Sequence, residues 1–210
     1  ACAPYRRLHV CVRNLEKMDS TKIKDKNVLL AEVCYAAKYE GESILQNHGK
    51  HQGTNSYSQL CTELARSFAD IGDIVRGKDL FYGNPQEKDQ RKKLQQNLKT
   101  IFKKIHGGLT KNNGALKPRY KDDAPYYYKL REDWWTANRH TVWEAITCDV
   151  SGSQYFRPTC SNGQNKTQNN CRCDDGDKPN AGKGSGDVSI VPTYFDYVPQ
   201  YLRWFEEWAE

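Results

Sequence analysis

Apolar side chains recur along this chain at the spacing that gathers them on one side of a helix. The clearest run is Leu60, Leu64, Phe68, Ile71 and Val75, which predicts a helix over 58–76 with one continuous stripe. Leu94, Leu98, Ile101 and Ile105 predict a second helix over 86–106, ended by Gly107 and Gly108. A third, over 125–148, carries Tyr127, Leu130, Trp134, Val142, Ala145 and Ile146 on one face, with Asp122, Asp123 and Pro125 at its start. It holds three of the five tryptophans, so it is expected to dominate the core. Trp134 and Trp135 are adjacent and cannot share a face, so one must reach a second interface. Val28, Leu29, Ala31, Val33, Ala36 and Ala37 support a helix from Asp25 to about Gln46.

Residues 2–18 read as an irregular start with a short helix, and 48–56 as a Gly- and Asn-rich loop. Residues 149–187 lack aliphatic periodicity and read as a long, disordered-looking surface insertion held by cysteines. Order returns from Val188, where Tyr197, Tyr201, Trp204, Phe205 and Trp208 fall at helical spacing. Strand-like alternation is scarce. The expected fold is mainly α, a disulfide-stabilised helical bundle with long irregular loops. Its expected division is an N-terminal mixed subdomain over 1–56 and a helical-bundle subdomain over 57–210.

The cysteines place the chain outside the cytosol. Cys2, Cys11, Cys34, Cys61, Cys148, Cys160, Cys171 and Cys173 are even in number and widely scattered. That pattern predicts disulfides throughout, with Cys61 to Cys148 a candidate pair. Zinc needs four ligands at closer spacing, and no metal site is expected. Asn165-Lys166-Thr167 is a glycosylation sequon, in keeping with secretion. With 28% charged residues and a mean hydropathy of −0.90, no segment approaches the roughly 20 apolar residues of a spanning helix. The first residues form no signal peptide, and a chain with a cysteine almost at its start and an end inside a helix reads as part of a longer one.

Charge is unevenly held. Between Gln86 and Lys121 eleven Lys or Arg stand against Glu87 and Asp89, a local +9 in a chain whose total is +6. Such a field attracts polyanions and weakens with salt. Arg91, Lys92, Lys93, Lys99, Lys103, Lys104, Lys117, Arg119 and Lys121 are therefore the candidate binding residues, with sulfated glycan the ligand that suits an extracellular protein. No nucleic-acid module is recognisable. Catalytic patterns are absent too: the five histidines form no His-Glu-x-x-His, and no Gly-x-Ser-x-Gly occurs. Gly182-Lys183-Gly184-Ser185 lacks the spacing of a phosphate loop. Asp70, Asp73, Glu132 and Asp133 are expected to pair with Arg66, Arg76, Arg131 or Arg139. Trp134, Trp135 and Trp143 could stack on sugar, but their helical spacing favours packing.

Four blocks carry a resemblance. They are Cys2-Ala-Pro-Tyr-Arg-Arg-Leu-His-Val-Cys11, Leu60 to Arg76, the 125–148 helix, and Asp196-Tyr-Val-Pro-Gln-Tyr-Leu-Arg-Trp-Phe-Glu-Glu-Trp208. In order and over nearly the whole length, the chain resembles the Duffy-binding-like alpha domain of the Plasmodium falciparum erythrocyte membrane protein 1 family. The resemblance implies a non-enzymatic adhesin domain without cofactors, displayed on the outer face of the infected red-cell membrane within a larger anchored polypeptide. It implies binding to host red-cell receptors: heparan sulfate-like glycans, blood-group sugars or complement receptor 1, with rosetting as the outcome and antigenic variation in the loops. Domains of that family continue past Trp208 into a third helical subdomain. The matching blocks are scaffold signatures, so the resemblance assigns no binding residue; neutral sugars, a protein receptor or a spacer role stay open beside the glycan.

Overall fold

A computed structural model describes residues 2–23, 25–48, 57–112, 116–173 and 191–209. Seven helices occur among them: α1 (Tyr5–Leu8), α2 (Arg13–Glu16), α3 (Lys26–His48), α4 (Tyr57–Arg76), α5 (Pro85–Asn112), α6 (Tyr128–Ile146) and α7 (Gln200–Ala209), with a 3-10 turn at Phe195–Tyr197 before α7. Only isolated β-bridges accompany them, Ser153 with Asn170 and Cys160 with Asn165. The fold is mainly α.

Helix ends follow local chemistry. Asp25 caps α3, its Oδ1 accepting from the backbone N–H of Asn27 and Val28 at 2.8 and 3.2 Å. Asn84 and Glu87 close a reciprocal capping box on α5, each side chain accepting the other's backbone N–H. α5 then runs on through Gly107 and Gly108 to Asn112, so those glycines do not stop it as expected. A Cβ at either would meet nothing within 4 Å. The start of α6 is also later than expected. Residues 124–127 form a turn with a cis Ala124–Pro125 bond, Tyr127 sits at φ 59°, and the helix begins at Tyr128. Asp123 supplies the cap, its two carboxylate oxygens accepting from Lys129 and Leu130 at 2.8 Å each.

The centre of the molecule is α4 rather than α6 alone. Its predicted stripe is buried, but from Leu64 to Arg76 every residue is buried, including Arg66, Ser67, Asp70, Asp73 and Arg76. α3 and α6 cover the apolar face, and α1 and α7 lie over the polar one. α6 does reach two interfaces: Trp135 packs on Phe68 of α4 and Trp134 on Phe102 of α5. Two glycines permit this closeness. A Cβ on Gly72 would lie 2.7 Å from the Trp135 ring, and one on Gly41 would strike the Ile146 carbonyl.

Asp73 and Glu132 each take Arg76, one of the expected arginines, while Asp70 and Asp133 find partners outside the expected set. Asp70 takes Arg6 and Arg203, each at 2.8 Å; Asp73 takes Arg76 at 2.8 Å and Arg203 at 2.6 Å. Glu132 holds Arg76 and Lys78, and Asp133 holds Arg119. Arg139 pairs with Asp196. Burial pushes the Asp70 carboxyl up, but Arg6 and Arg203 outweigh it and leave it below the usual carboxylate range. At Asp73 burial wins and the carboxyl is raised.

The disulfides correct the expected pairing. Cys61 is joined to Cys171, not Cys148, and Cys160 to Cys173. Cys2, Cys11, Cys34 and Cys148 carry no bridge, against the expectation that all eight are paired. The Cys61–Cys171 bond draws the 149–173 segment onto α4 and α6. Val150, Tyr155 and Cys171 enter the core, Trp143 Nε1 donates to the Cys171 carbonyl, and Arg172 reaches Glu144 O and Thr147 Oγ1. This part of the expected surface insertion is therefore packed; its remainder, with Gly182–Ser185, and the 49–56 loop lie outside the described residues.

Candidate functional site

The basic set gathers around α5 but not on one face. Leu94, Leu98, Ile101, Phe102 and Ile105 turn inward, fixing the orientation of the helix. Lys92, Lys99 and Lys103 follow one edge, at offsets of seven and eleven residues that return to nearly the same angle. Lys93 and Lys104 follow the other edge, beside the N-terminal segment, where Lys104 Nζ donates to the Ser20 carbonyl at 2.5 Å. Lys117 and Lys121 are exposed in the segment leading to α6.

Two members of the set are already engaged. Arg91 donates to Asp79 at 3.0 Å, and Arg7 shares the same carboxylate. The Phe81 ring lies between the two guanidiniums, 4.7 Å from Arg7 and 4.9 Å from Arg91. Burial and the neighbouring Arg7 push Arg91 below the ordinary arginine range. Arg119 grips both oxygens of Asp133 at 2.6 Å each, a bidentate pair that cancels its charge locally. The lysines are freer. Lys92 approaches Asp89 only at 3.9 Å with both side chains exposed, a pair of little energetic weight.

On the Lys92–Lys99 edge lies a cleft of about 490 Å³ that sequence reasoning missed. It is bounded by α5, by the chain leaving α4 at Gly77, and by the start of α6. Tyr126 and Tyr128 stack there with ring centroids 5.5 Å apart, and Lys99 Nζ stands 4.9 Å over the Tyr126 ring. Arg131, 3% exposed, forms the inner wall. Only tyrosine-rich sequence next to a basic helix hinted at it; the contribution of Gly77 depends on tertiary contact.

A second cavity, of about 750 Å³, lies between α1, α3 and α4 and mixes Arg6 with Glu40, Glu63 and Glu207. These groups are already engaged: Arg6 donates to Glu207, Glu40 accepts from the Ser67 hydroxyl and the Cys11 N–H, and Glu63 lies 3.5 Å from His48. Among the described residues no group of three His, Cys, Asp or Glu is placed to hold a metal ion. No described helix is long and apolar enough to cross a membrane. Trp135 and Trp143 are wholly buried and Trp134 nearly so, which leaves none of them as a sugar platform.

Known proteins give this arrangement a context. The family model described as the Duffy binding domain matches residues 1–203. The Duffy receptor beta form of Plasmodium knowlesi is 26% identical over 218 residues, covering 99% of this chain and 14% of its own. A solved NTS-DBL1-alpha and CIDR-gamma double domain of PfEMP1 from the Plasmodium falciparum varO strain is 41% identical with a TM-score of 0.76, covering 100% of this chain and 28% of its own. The PfEMP1 IT4var13 DBLbeta domain solved bound to ICAM-1 is 33% identical with a TM-score of 0.67, covering 100% and 44%. The chain thus spans less than half the length of each.

Proposed function

This chain belongs to the Duffy binding domain family, and on that premise we propose that it is an adhesion module of a larger parasite surface protein, displayed outside the infected red cell and recognising a host receptor through charge. The anionic receptor class is sulfated glycan of the heparan sulfate type. The carrying observation is the α5 edge of Lys92, Lys99 and Lys103, where the one ion pair among the described residues is the long, exposed contact of Lys92 with Asp89 at 3.9 Å, continued by exposed Lys117 and Lys121. Many exposed cations with little competition from protein acids favour a long polyanion, each contact weak and salt-screened.

Retention on immobilised heparin against salt tests this. A Lys92/Lys99/Lys103→Glu variant with an unchanged helical spectrum is expected to elute at markedly lower salt. Retention equal to wild type would remove this edge from the reading.

A protein receptor is the second reading. It draws on the ICAM-1 complex of the DBLbeta relative and on α7, where Tyr201, Phe205 and Trp208 are half or more exposed. Binding that persists at high salt favours it, and so does its loss on Phe205→Ala.

A further inference from the structure

Arg131 differs from four other buried arginines. Arg7, Arg76, Arg139 and Arg203 each hold a carboxylate. Arg131 holds none: its Nε donates to the Val75 carbonyl at 2.7 Å and its Nη2 to Gln95 Oε1 at 2.8 Å, both neutral acceptors. Its guanidinium lies 5.5 Å from the Phe102 ring centroid. Burial draws its pKa down to about 10, with only Tyr128 nearby to oppose it. A buried cation without a counter-ion is costly, and an anion arriving from solvent relieves that cost.

The approach to Arg131 is open because residue 77 is glycine. Gly77 adopts φ 76°, and a Cβ there would stand 2.6 Å from Arg131 Nη1 and 3.3 Å from Tyr128 Cε1. Nη1 donates no hydrogen bond among the described residues. It fronts the same cleft as the Tyr126–Tyr128 stack, Lys92, Lys99 and Arg91. The one acid lining that cleft, Asp79, is already shared by Arg7 and Arg91. At about 490 Å³ the cleft suits a small ligand rather than a polymer.

We propose that this cleft is a subsite for a single anionic sugar unit, its carboxylate or sulfate on Arg131 Nη1 and the Lys99 ammonium, and its apolar ring face against the tyrosine wall. The proposal rests on the glycan reading above and deepens it: the lysine edge supplies long-range attraction, while the cleft selects one residue of the chain. Arg131 is anchored by Val75 and Gln95, so its guanidinium is held ready, and little side-chain entropy remains to be lost on binding. Sulfate and carboxylate share this chemistry, and the ligand panel separates them.

The test is titration of the 210-residue chain, followed by NMR, with three probes: a fully sulfated heparin disaccharide, its desulfated form retaining the carboxylate, and a desulfated, carboxyl-reduced form. Either anionic probe, or both, is expected to shift signals around the cleft, and the neutral one to shift none. Arg131→Met, which keeps the stem over Phe102, should weaken the better probe tenfold or more. Tyr126→Ala, at a half-exposed position outside the core, should weaken it severalfold, and it decides the matter if the Arg131 variant does not fold. Equal binding by the neutral probe, or wild-type affinity in Tyr126→Ala and in folded Arg131→Met, overturns the subsite. Heparin retention fails or survives separately: loss of the subsite with retention intact leaves the glycan reading standing, whereas disaccharide binding without heparin retention sinks that reading and keeps the subsite.

Discussion

Asp196 offers the sharpest test of how the segment after the insertion is fixed. The residue is 2% exposed, and its carboxylate accepts three bonds, from Arg139 Nε and Nη2 at 2.8 Å each and from Trp135 Nε1 at 2.9 Å. Truncation to alanine strips all three and removes the carboxylate from a buried guanidinium. Breaking a buried pair from one side costs about 3–5 kcal/mol. The Arg76 contact to Asp196 survives, because it is made to the backbone carbonyl. With a loss of about 4 kcal/mol and a urea dependence of about 2 kcal/mol/M, the unfolding midpoint should fall by about 2 M. Helical circular dichroism is the right probe, since the substitution alters the surroundings of Trp135 and would disturb fluorescence. Asp196→Asn, still an acceptor but uncharged, should lose less. Arg139→Met combined with Asp196→Leu should recover much of the loss, as apolar replacement of a whole pair often does. A midpoint shift below about 0.5 M for the alanine variant would refute the reasoning, because a pair so cheaply removed is solvated rather than buried.

Further outcomes follow from the thiols, the tightest helix contact and the polar face of α4. Denatured, non-reduced protein should titrate four thiols, and a digest should link Cys61 to the Cys171 peptide; no free thiol, or a Cys61–Cys148 peptide, would contradict the structure. In native protein Cys2 and Cys148 should alkylate first. Burial pushes Cys11 and Cys34 up to about 11, aided by Glu40 and Glu144 respectively, so their labelling should keep accelerating beyond pH 10 as thiolate forms. Gly72→Ala should cost about 1–3 kcal/mol by forcing a methyl into the Trp135 ring, read as a lower melting temperature; unchanged melting would mean the indole is not seated there. The depressed Asp70 carboxyl contributes stability that is complete above its unfolded pKa of about 3.9 and is lost as pH falls through the lower folded value. Asp70→Asn should therefore flatten the acid limb of stability against pH, and an unaltered limb would assign the slope elsewhere.

Much of the scaffold was legible in the residues. The stripes of α4 and α5 named buried positions because apolar side chains at helical spacing share one face, although α4 is buried on its polar face as well. The adjacency of Trp134 and Trp135 foretold two interfaces, since successive residues point about 100° apart. The four blocks identified the family, and the family model agrees. The extent of α5 was less legible: Gly107 and Gly108 lower helix propensity, but propensity is a weak prior beside the packing of Ile105 and Leu109 against the core.

Local pattern determined that this chain is helical, where its apolar faces lie and that one helix is strongly basic. It could not determine which polar residues would be hidden. Ser67, Asp70, Asp73 and Arg76 make up a face of α4 that reads as solvent-exposed, yet Arg6 and Arg203, from opposite ends of the chain, fold over it and turn it into an interior network. The same holds for cysteine pairing and for the cleft at Arg131. Each depends on residues distant in sequence meeting in space, and periodicity carries no information about such meetings; only the packing of α1, α3, α5, α6 and α7 around α4 decided which buried charges were paired and that Arg131 would rest on neutral acceptors.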